Sequence, residues 1–295
     1  MLAAKLLAAA SSPSPSQIAV AHTTTPFVTV YPWSSSGFGT KYSNPATLPS
    51  STGRSVAFNS DNTVIGIGHE TTPFITAYPW SNSGFGTKFA NPATLPPGTG
   101  ISIAFSPDGA AVAVGATLTP FITAYPWSGS GFGTKFANPA TLPSVGGNGI
   151  AFSPDSAAIA VARSSSPYIN VYPWSGSGFG TKYADPATIP TGQGNEVAFS
   201  HDGANIAVAH VTTPYISAYP WSGSGFGTKF ANPPTLAPAG LNIVAFSSDN
   251  TAIASSTSAT PFIAAYAWSG SGFGARYADP ATLPSNNAFG MAFTN

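Results

Sequence analysis

The sequence predicts an all-β protein in which six repeated units, each of four short strands, form a closed ring. Three observations predict this fold: a strict 47-residue repeat, turn residues that divide each repeat into four segments, and a C-terminus that supplies a strand the first unit lacks. The repeats occupy residues 17–295, whereas residues 1–16 have a different composition. The expected organisation is therefore a short N-terminal arm followed by one repeat domain.

The six tryptophans define the repeat, because each lies 47 residues after the one before it. A phenylalanine column and a basic column keep the same spacing. A fixed period of this length indicates an architecture in which each unit packs against its neighbours. The three columns are Trp33, Trp80, Trp127, Trp174, Trp221 and Trp268; Phe58, Phe105, Phe152, Phe199, Phe246 and Phe293; and Lys41, Lys88, Lys135, Lys182, Lys229 and Arg276.

Residues 102–148 show how one unit divides into strands. Residues 106–109, Ser-Pro-Asp-Gly, suit a type I turn followed by a left-handed glycine, since proline presets φ and aspartate bonds the nearby backbone. Short strands separated by turns at regular spacing predict an all-β repeat and argue against a helical solenoid. The four predicted strands are residues 102–105, 111–115, 121–127 and 134–137.

The third strand of this unit has no charged residue on either side. Phe121 and Tyr125 point to one side and Ile122 and Ala124 to the other, by the period of two along a strand. A sheet that is apolar on both faces must be covered on both faces by other sheets. Four-stranded blades stacked around an axis provide that cover, so the predicted fold is a six-bladed β-propeller.

The frame of the repeat predicts that the ring closes. Residues 18–22 align with the second strand of later units, and the missing first strand reappears as residues 290–293, Gly-Met-Ala-Phe. Pairing of this C-terminal strand with the first blade would hide two exposed sheet edges. We therefore expect Phe293 to lie beside residues 18–21.

The hairpin sequences resemble those of WD-repeat and YVTN-type β-propellers. The resemblance rests on residues 102–114, SIAFSPDGAAVAV, and on the matching segments 149–161 and 196–208. The Gly-His and Trp-Asp dipeptides of WD repeats are absent, so their buried histidine-to-aspartate network is not implied. The longer segment 124–143 is similar to tandem propeller repeats of tailed-phage and marine viral proteins.

Composition excludes several classes of function. The chain has 9 basic and 9 acidic residues, a net charge of zero and no cysteine. Nucleic-acid binding is not expected, because neutralising a phosphate backbone requires clustered Lys and Arg. The missing cysteines rule out disulfides, thiolate metal sites and a cysteine nucleophile. No apolar run reaches the length of a membrane span, and no cofactor or metal is expected.

The N-terminal arm, residues 1–16, combines an alanine-rich stretch with the linker-like sequence SSPSPS. The alanines favour a short helix, which is marginally stable by itself. Leu2, Leu6 and Leu7 form a small apolar stripe on it. This stripe predicts that the arm binds other subunits of a larger assembly.

The tryptophan column is the candidate glycan-binding site. Residues 127–133, Trp-Ser-Gly-Ser-Gly-Phe-Gly, combine aromatic rings with hydroxyls, and six copies would add avidity. The alternative is that the six tryptophans and nearby phenylalanines fill the space between adjacent blades. We favour this second interpretation.

Some ionisable residues break the 47-residue register, and a catalytic site would be sought there first. No known catalytic motif joins them, so no catalytic residue is predicted. The three histidines at the end of the second strand alternate with Ala116 and Thr257, a pattern that predicts an exposed loop and no metal cluster. The off-register residues are Arg54, Glu70, Arg163, Glu196, His201, His22, His69 and His210.

These observations lead to an expected function. The regular blades and the low surface charge predict a non-catalytic structural or adhesion module, anchored through the arm, on a virion or another extracellular surface. One alternative is a multivalent lectin. The other is an enzyme with a site at the mouth of the propeller channel.

Overall fold

A computed structural model describes residues 16–34 and 36–284 and confirms a six-bladed, all-β propeller. No residue within these ranges is helical. The N-terminal arm and the strand at residues 290–293 lie outside the described residues. The structure contains no helix long and apolar enough to cross a membrane within the same ranges.

Each blade is an antiparallel sheet whose strands follow chain order from one edge to the other. Blade 1 has three described strands: β1 Ser16–Ala21, β2 Val28–Ser34 and β3 Gly37–Phe38. Blades 2 to 4 consist of β4 Gly53–Phe58, β5 Val64–His69, β6 Ile75–Ser81 and β7 Gly84–Phe85; β8 Gly100–Phe105, β9 Ala111–Ala116, β10 Ile122–Ser128 and β11 Gly131–Phe132; and β12 Gly147–Phe152, β13 Ala158–Arg163, β14 Ile169–Ser175 and β15 Gly178–Phe179. Blades 5 and 6 consist of β16 Gly194–Phe199, β17 Asn205–His210, β18 Ile216–Ser222 and β19 Gly225–Phe226; and β20 Leu241–Phe246, β21 Ala252–Thr257, β22 Ile263–Ser269 and β23 Gly272–Arg276.

The first strands of blades 2 to 6 lie against one another and form the wall of the central channel. The fourth strand is the outer edge of each blade. The turn between the first two strands has the predicted chemistry: Ser106 Oγ accepts a hydrogen bond from Ala111 N at 2.9 Å, and Asp108 Oδ1 accepts one from Ala110 N at 3.0 Å. Gly109 follows with φ of +72°.

Two predicted strand limits are wrong. The fourth strand of blade 3 is Gly131–Phe132 and does not lie at residues 134–137, because a hairpin returns the chain directly after Ser128. The third strand begins at Ile122, since Phe121 has φ of +67° and its N–H closes a turn onto Leu118 O at 2.8 Å. A bulky residue in this left-handed region belongs to a turn and cannot continue a strand.

Each internal boundary between blades is filled by an aromatic cluster around one tryptophan. Trp127 is 7% exposed and packs edge-on against Phe89 of the preceding blade at 5.2 Å. Phe105 and Phe132 contact the same indole at 5.4 and 4.9 Å. Such edge-to-face pairs each contribute about 0.5–1.5 kcal/mol beyond the area they bury.

In blades 2 to 5, a buried tyrosine fastens the blade to the one before it. The Tyr125 hydroxyl donates to Thr94 O at 2.8 Å, and Tyr172 and Tyr219 make the same bond one and two repeats later. Burial raises the pKa of these phenols. Each of these tyrosines therefore crosses an apolar boundary while its hydroxyl and the threonine carbonyl hydrogen-bond to each other.

The sides of blades 1 and 6 at which the predicted ring would close are more open. Phe38 is 65% exposed and Tyr277 is 50% exposed, whereas their counterparts at internal boundaries are half-buried. Among described residues, the aromatic contact of Trp33 is with Phe38. The predicted pairing that would close the ring involves Phe293, which lies outside the described residues, so it stays a prediction.

Candidate functional site

Most of the off-register residues lie at one end of the propeller. Gly53 pairs with His69, which places the start of each first strand beside the end of the second strand. We call this end the loop face, because it carries the connections from second to third strand and from each blade to the next. The opposite end, the hairpin face, carries the repeated Ser-Pro-Asp-Gly and Trp-Ser-Gly turns.

Asparagine side chains line the channel where it opens at the loop face. Asn148 Nδ2 donates to Gly194 O of the next blade at 2.8 Å, and Asn195 Nδ2 donates to Leu241 O at 2.8 Å. These amide groups link successive blades through their N–H donors. Asn195 Oδ1 accepts a hydrogen bond from Gln193 Nε2 at 3.1 Å, and an amide oxygen has a second lone pair that can accept one from a ligand hydroxyl.

Glu196 follows Asn195 on the same strand and is half-buried in the channel wall. Its Oε1 accepts a hydrogen bond from Val197 N at 3.1 Å. Burial raises the pKa of the Glu196 carboxyl to about 8. A carboxyl whose pKa is raised toward neutral, between the first strands of two blades, has the properties of a general acid or base.

Gly149 of blade 4 provides the space for this carboxyl. A Cβ at position 149 would lie 2.7 Å from Glu196 Cα and 2.8 Å from Glu196 Cδ, closer than side-chain atoms approach. The equivalent residue in blade 3 is Ser102, whose Oγ accepts a hydrogen bond from Ile150 N at 3.1 Å. The glycine and the glutamate therefore break the repeat together, at the boundary of blades 4 and 5.

Eight of the nine acidic residues already have a structural partner. Five are turn aspartates that accept backbone N–H groups, and three are in ion pairs. These are Asp61, Asp108, Asp155, Asp202 and Asp249 in the turns, and Glu70, Asp185 and Asp279 in the pairs. Glu196 is the ninth, and it serves neither purpose. Its sequence signal is that it is an acidic residue outside every repeated column.

Arg54 occupies the same position in blade 2 as Asn195 does in blade 5. It forms an ion pair with Glu70, which begins the connection from β5 to β6, and the two side chains are 52% and 36% exposed. Within the described part of the chain, Arg54 is thus a cation at the loop face of the channel that its own blade neutralises.

Two of the three histidines at the end of the second strand are buried and His22 is half-buried, which corrects the expectation of an exposed loop. His69 and His210 are both 0% exposed. Their Nε2 atoms lie 2.9 Å from Thr76 Oγ1 and 3.0 Å from Ser217 Oγ. Burial lowers the pKa of each imidazole to about 4. The connection to the third strand folds over this position, which the sequence pattern did not reveal.

Arg163 takes the histidine position in blade 4 and is 4% exposed. Its guanidinium donates to Ser166 O, and burial lowers its pKa. It is enclosed within its blade, so it does not face the channel. No group of three or more metal-binding side chains occurs within the described residues.

The basic column lies on the outer side of the blades. Lys88 Nζ donates to Asn91 Oδ1 at 2.5 Å, and the N–H of Phe89 bonds to Ala77 O of the third strand. This places Lys88 on the side of the third strand away from the channel. In two blades the partner is an aspartate three residues later, and Lys182 and Arg276 form ion pairs with Asp185 and Asp279.

A cleft of about 400 Å³ lies on the hairpin face between blades 2 and 3. Asp61 and Asp108 line it, and both carboxylates accept hydrogen bonds within their own turns. At the next boundary, Ser156 Oγ accepts a bond from Asp108 N at 3.0 Å, whereas Gly109 offers no such side chain to blade 2. The cleft is thus the gap left by a glycine in the turn.

Five of the candidate glycan-binding tryptophans are buried, with 4–8% exposure. Trp33 is half-buried. Their rings pack against neighbouring phenylalanines and tyrosines. The predicted arm residues Leu2, Leu6 and Leu7 lie outside the described residues. The five buried tryptophans are Trp80, Trp127, Trp174, Trp221 and Trp268.

No protein-family model and no curated protein matches this sequence. Solved structures do resemble the fold. A candidate 6-phosphogluconolactonase from Bacteroides uniformis is 14% identical with a TM-score of 0.63, covering 87% of this chain and 80% of its own. The periplasmic gluconolactonase PpgL of Pseudomonas aeruginosa is 16% identical with a TM-score of 0.66, covering 90% and 84%. A protein of unknown function from Desulfotomaculum acetoxidans is 15% identical with a TM-score of 0.60, covering 88% and 80%.

At these identities the likeness establishes the propeller fold alone. The comparisons nevertheless contradict the expectation of a non-catalytic virion module and the expectation that the protein is not an enzyme, because two of the three structures are named as lactonases. None of the three is described as a WD-repeat or phage protein. The expectation of a non-catalytic protein was wrong for a physical reason. Residues that repeat in every blade reflect how the blades pack, whereas a site made of single off-register residues would have no recognisable sequence motif.

Proposed function

We propose that the protein is a hydrolase of cyclic esters, of the sugar-lactone type, with its site at the loop face of the channel. The observation that supports this most is Glu196, the acidic residue without a turn or ion-pair role, whose pKa burial raises to about 8. The fold is shared with two proteins named as lactonases. We also propose that the blades are of the YVTN type, which is a more specific statement about the same propeller fold. The Ala-Phe-Ser-Pro-Asp-Gly hairpin supports it.

The chemistry requires one group that moves a proton. The Glu196 carboxylate takes a proton from water as the water oxygen bonds to the lactone carbonyl carbon. The ring C–O bond then breaks, and the same proton passes to the departing alkoxide oxygen. The product is the open hydroxy acid. Water and lactone supply all of its atoms, and no electrons are transferred.

The asparagines next to this carboxyl would position the substrate. The Nδ2 groups of Asn148 and Asn195 are held by backbone carbonyls, which orients their amide oxygens. Oriented acceptors suit the hydroxyls of a sugar lactone. The proposed site therefore contains one titrating group and several neutral ones.

The raised pKa predicts how the rate depends on pH. Only the carboxylate form accepts a proton, so below about pH 8 the active fraction grows about tenfold per pH unit. The same shift affects folding. Because the pKa is raised from 4.5, the folded protein holds the proton longer, and the free energy of unfolding falls as pH rises from 4.5 to about 8.

The test compares Glu196→Gln with Asp155→Asn, a carboxyl-to-amide change in a hairpin turn on the opposite face. Acid release from glucono-δ-lactone is followed in a pH-stat, with the spontaneous rate subtracted. We expect Glu196→Gln to lose about 100-fold or more of kcat/KM, and Asp155→Asn to keep the wild-type rate. Stability against pH is a second measurement, in which Glu196→Gln should flatten the slope between pH 4.5 and 8.

Two results would contradict the proposal. One is a wild-type protein that adds nothing to the spontaneous rate across a panel of aldonolactones. The other is equal activity of Glu196→Gln and wild type, which would leave the carboxyl without a chemical role.

A further inference from the structure

We propose that the Arg54–Glu70 ion pair makes the channel mouth selective for uncharged lactones over phosphorylated ones. This inference rests on the proposed function and names its substrate class. Lactones of both classes occur in the names of the structurally similar proteins, one acting on a phosphorylated sugar acid lactone and one on an uncharged lactone. The fold cannot separate these two classes, but the charges around the mouth can.

A phosphate group carries close to two negative charges and is bound in proteins by free Arg or Lys side chains. Eight of the nine basic residues of the chain lie in the described ranges, and the ninth is Lys5. Each of the eight donates to an oxygen of its own blade. These partners are Asn44, Asn91, Asn138 and Asn232 for four lysines, Asp185 for Lys182, Asp279 for Arg276, Ser166 O for Arg163 and Glu70 for Arg54.

Arg54 is the one of these cations that belongs to a channel strand. The lysine column and Arg276 lie on the outer side of the blades, and Arg163 is buried. Arg54 stands at the start of β4, where Asn148 and Asn195 stand in blades 4 and 5. A phosphorylated ligand at the mouth would therefore depend on Arg54 for its charge partner.

Glu70 removes that partner. Its carboxylate pairs with the Arg54 guanidinium, so the pair presents no net charge to the channel. Glu196 lies on β16, another strand of the channel wall, and its ionisation adds one negative charge to the mouth. The mouth is thus neutral or negative, which repels a phosphate and leaves an uncharged polyol unaffected.

The pair is exposed, so it contributes under about 1 kcal/mol to folding. Each partner can therefore be replaced without unfolding the protein. Glu70→Gln keeps the shape of the side chain and frees the Arg54 charge. Asp185→Asn is the matched control, because it frees Lys182 on the outer side of blade 4, away from the channel.

The experiment measures kcat/KM for glucono-δ-lactone and for its 6-phosphate with the full-length protein. We expect wild type to prefer the uncharged lactone by about tenfold or more. Glu70→Gln should lower that preference by about tenfold, and Asp185→Asn should leave it unchanged. Added salt should reduce the difference between Glu70→Gln and wild type, since the effect is electrostatic. A wild-type preference for the phosphorylated lactone, or an unchanged ratio in Glu70→Gln, overturns the inference.

A binding measurement separates this inference from the proposed reaction. Glucose and glucose 6-phosphate are titrated into wild type and Glu70→Gln by calorimetry as unreactive probes. Binding of glucose in preference to its phosphate, reversed or equalised in Glu70→Gln, supports the selectivity even where no lactone is hydrolysed. Tighter binding of the phosphate by wild type, or no binding of either probe, overturns it.

Discussion

The boundary between blades 3 and 4 and the free sides of blades 1 and 6 contain the same repeated residues in different surroundings. Trp174 is 7% exposed and contacts Phe136, Phe152 and Phe179 at 5.0–5.2 Å. Trp33 is half-buried, and its described aromatic contact is with Phe38 alone. The same tryptophan, in the same strand position, is enclosed in one place and open in the other.

The glycine that follows each third strand shows the same contrast. A Cβ at Gly178 would meet the Phe136 ring of the preceding blade at 3.1 Å, whereas a Cβ at Gly37 would meet nothing within 4 Å. The difference teaches that a blade does not bury its own tryptophan. Enclosure comes from the neighbouring blade, as in repeat proteins whose stability is a sum of unit and interface terms.

The largest expected effect separates these two places directly. Trp174→Ala should lower the free energy of unfolding by about 3–5 kcal/mol, because it empties a closed aromatic cluster. Trp33→Ala should cost less than half as much, since its ring is partly open already. Urea unfolding followed by circular dichroism measures both. Equal costs would show that residues outside the described ranges, Phe293 among them, complete a sixth cluster and close the ring.

A second experiment tests whether the buried histidines of internal blades make the stability of the protein depend on pH. Folding lowers the pKa of His69 and His210 from 6.5 to about 4, so the unfolded chain binds more protons between these values. The contribution of these two histidines to stability is therefore full above pH 6.5 and is lost as pH drops toward 4, by at most about 1.4 kcal/mol per pH unit for each histidine.

The matched variants for this experiment are His210→Ala, which copies the natural Ala116 of blade 3, and His201→Ala on an exposed hairpin. His210→Ala should remove about half of the acid-dependent loss in unfolding free energy. His201→Ala should leave it as in wild type. If a double variant without both buried histidines still loses as much stability between pH 6.5 and 4 as wild type does, this explanation is refuted.

The smallest effect concerns the tyrosine hydroxyls. Tyr172→Phe loses the bond to Thr141 O across the boundary of blades 3 and 4 and should cost about 1 kcal/mol. Tyr31→Phe, at the open side of blade 1, should lower the free energy of unfolding by less. The Tyr31 side chain is half-buried, so water can hydrogen-bond to its hydroxyl in the folded protein as it does in the unfolded chain. Chemical denaturation of the two single variants checks the order. The reverse order would mean that the side of blade 1 is as enclosed as an internal boundary.

The 47-residue period of the sequence predicted the fold because every internal blade packs against its neighbours through the same kind of interface. The tryptophan and phenylalanine columns and the Asp108 turn repeat for that reason, and the structure places them as predicted. The predicted fourth strand at residues 134–137 was wrong. The chain reverses directly after Ser128, which pairs with Gly131, and the glycine- and serine-rich sequence there is as compatible with a tight hairpin as with a longer loop.

The candidate site was less accessible to sequence reasoning. Glu196 was visible as a departure from the repeat, whereas Gly149, 47 residues earlier, was not singled out, and no motif joins the two. Their meeting depends on adjacent first strands lying side by side in the channel wall. The burial of His69 was also missed, because a polar side chain that alternates with alanine along the repeat looks the same in a loop as in a covered strand end.

The amino-acid sequence by itself determined the number of blades, the position of their turns and the aromatic residues between them, because these follow from local backbone preferences and from one repeated interface. Tertiary structure alone decided which off-register side chains meet, which are enclosed and which face the channel. Burial sets the pKa of Glu196, and burial is a property of the neighbouring blade that no stretch of sequence contains.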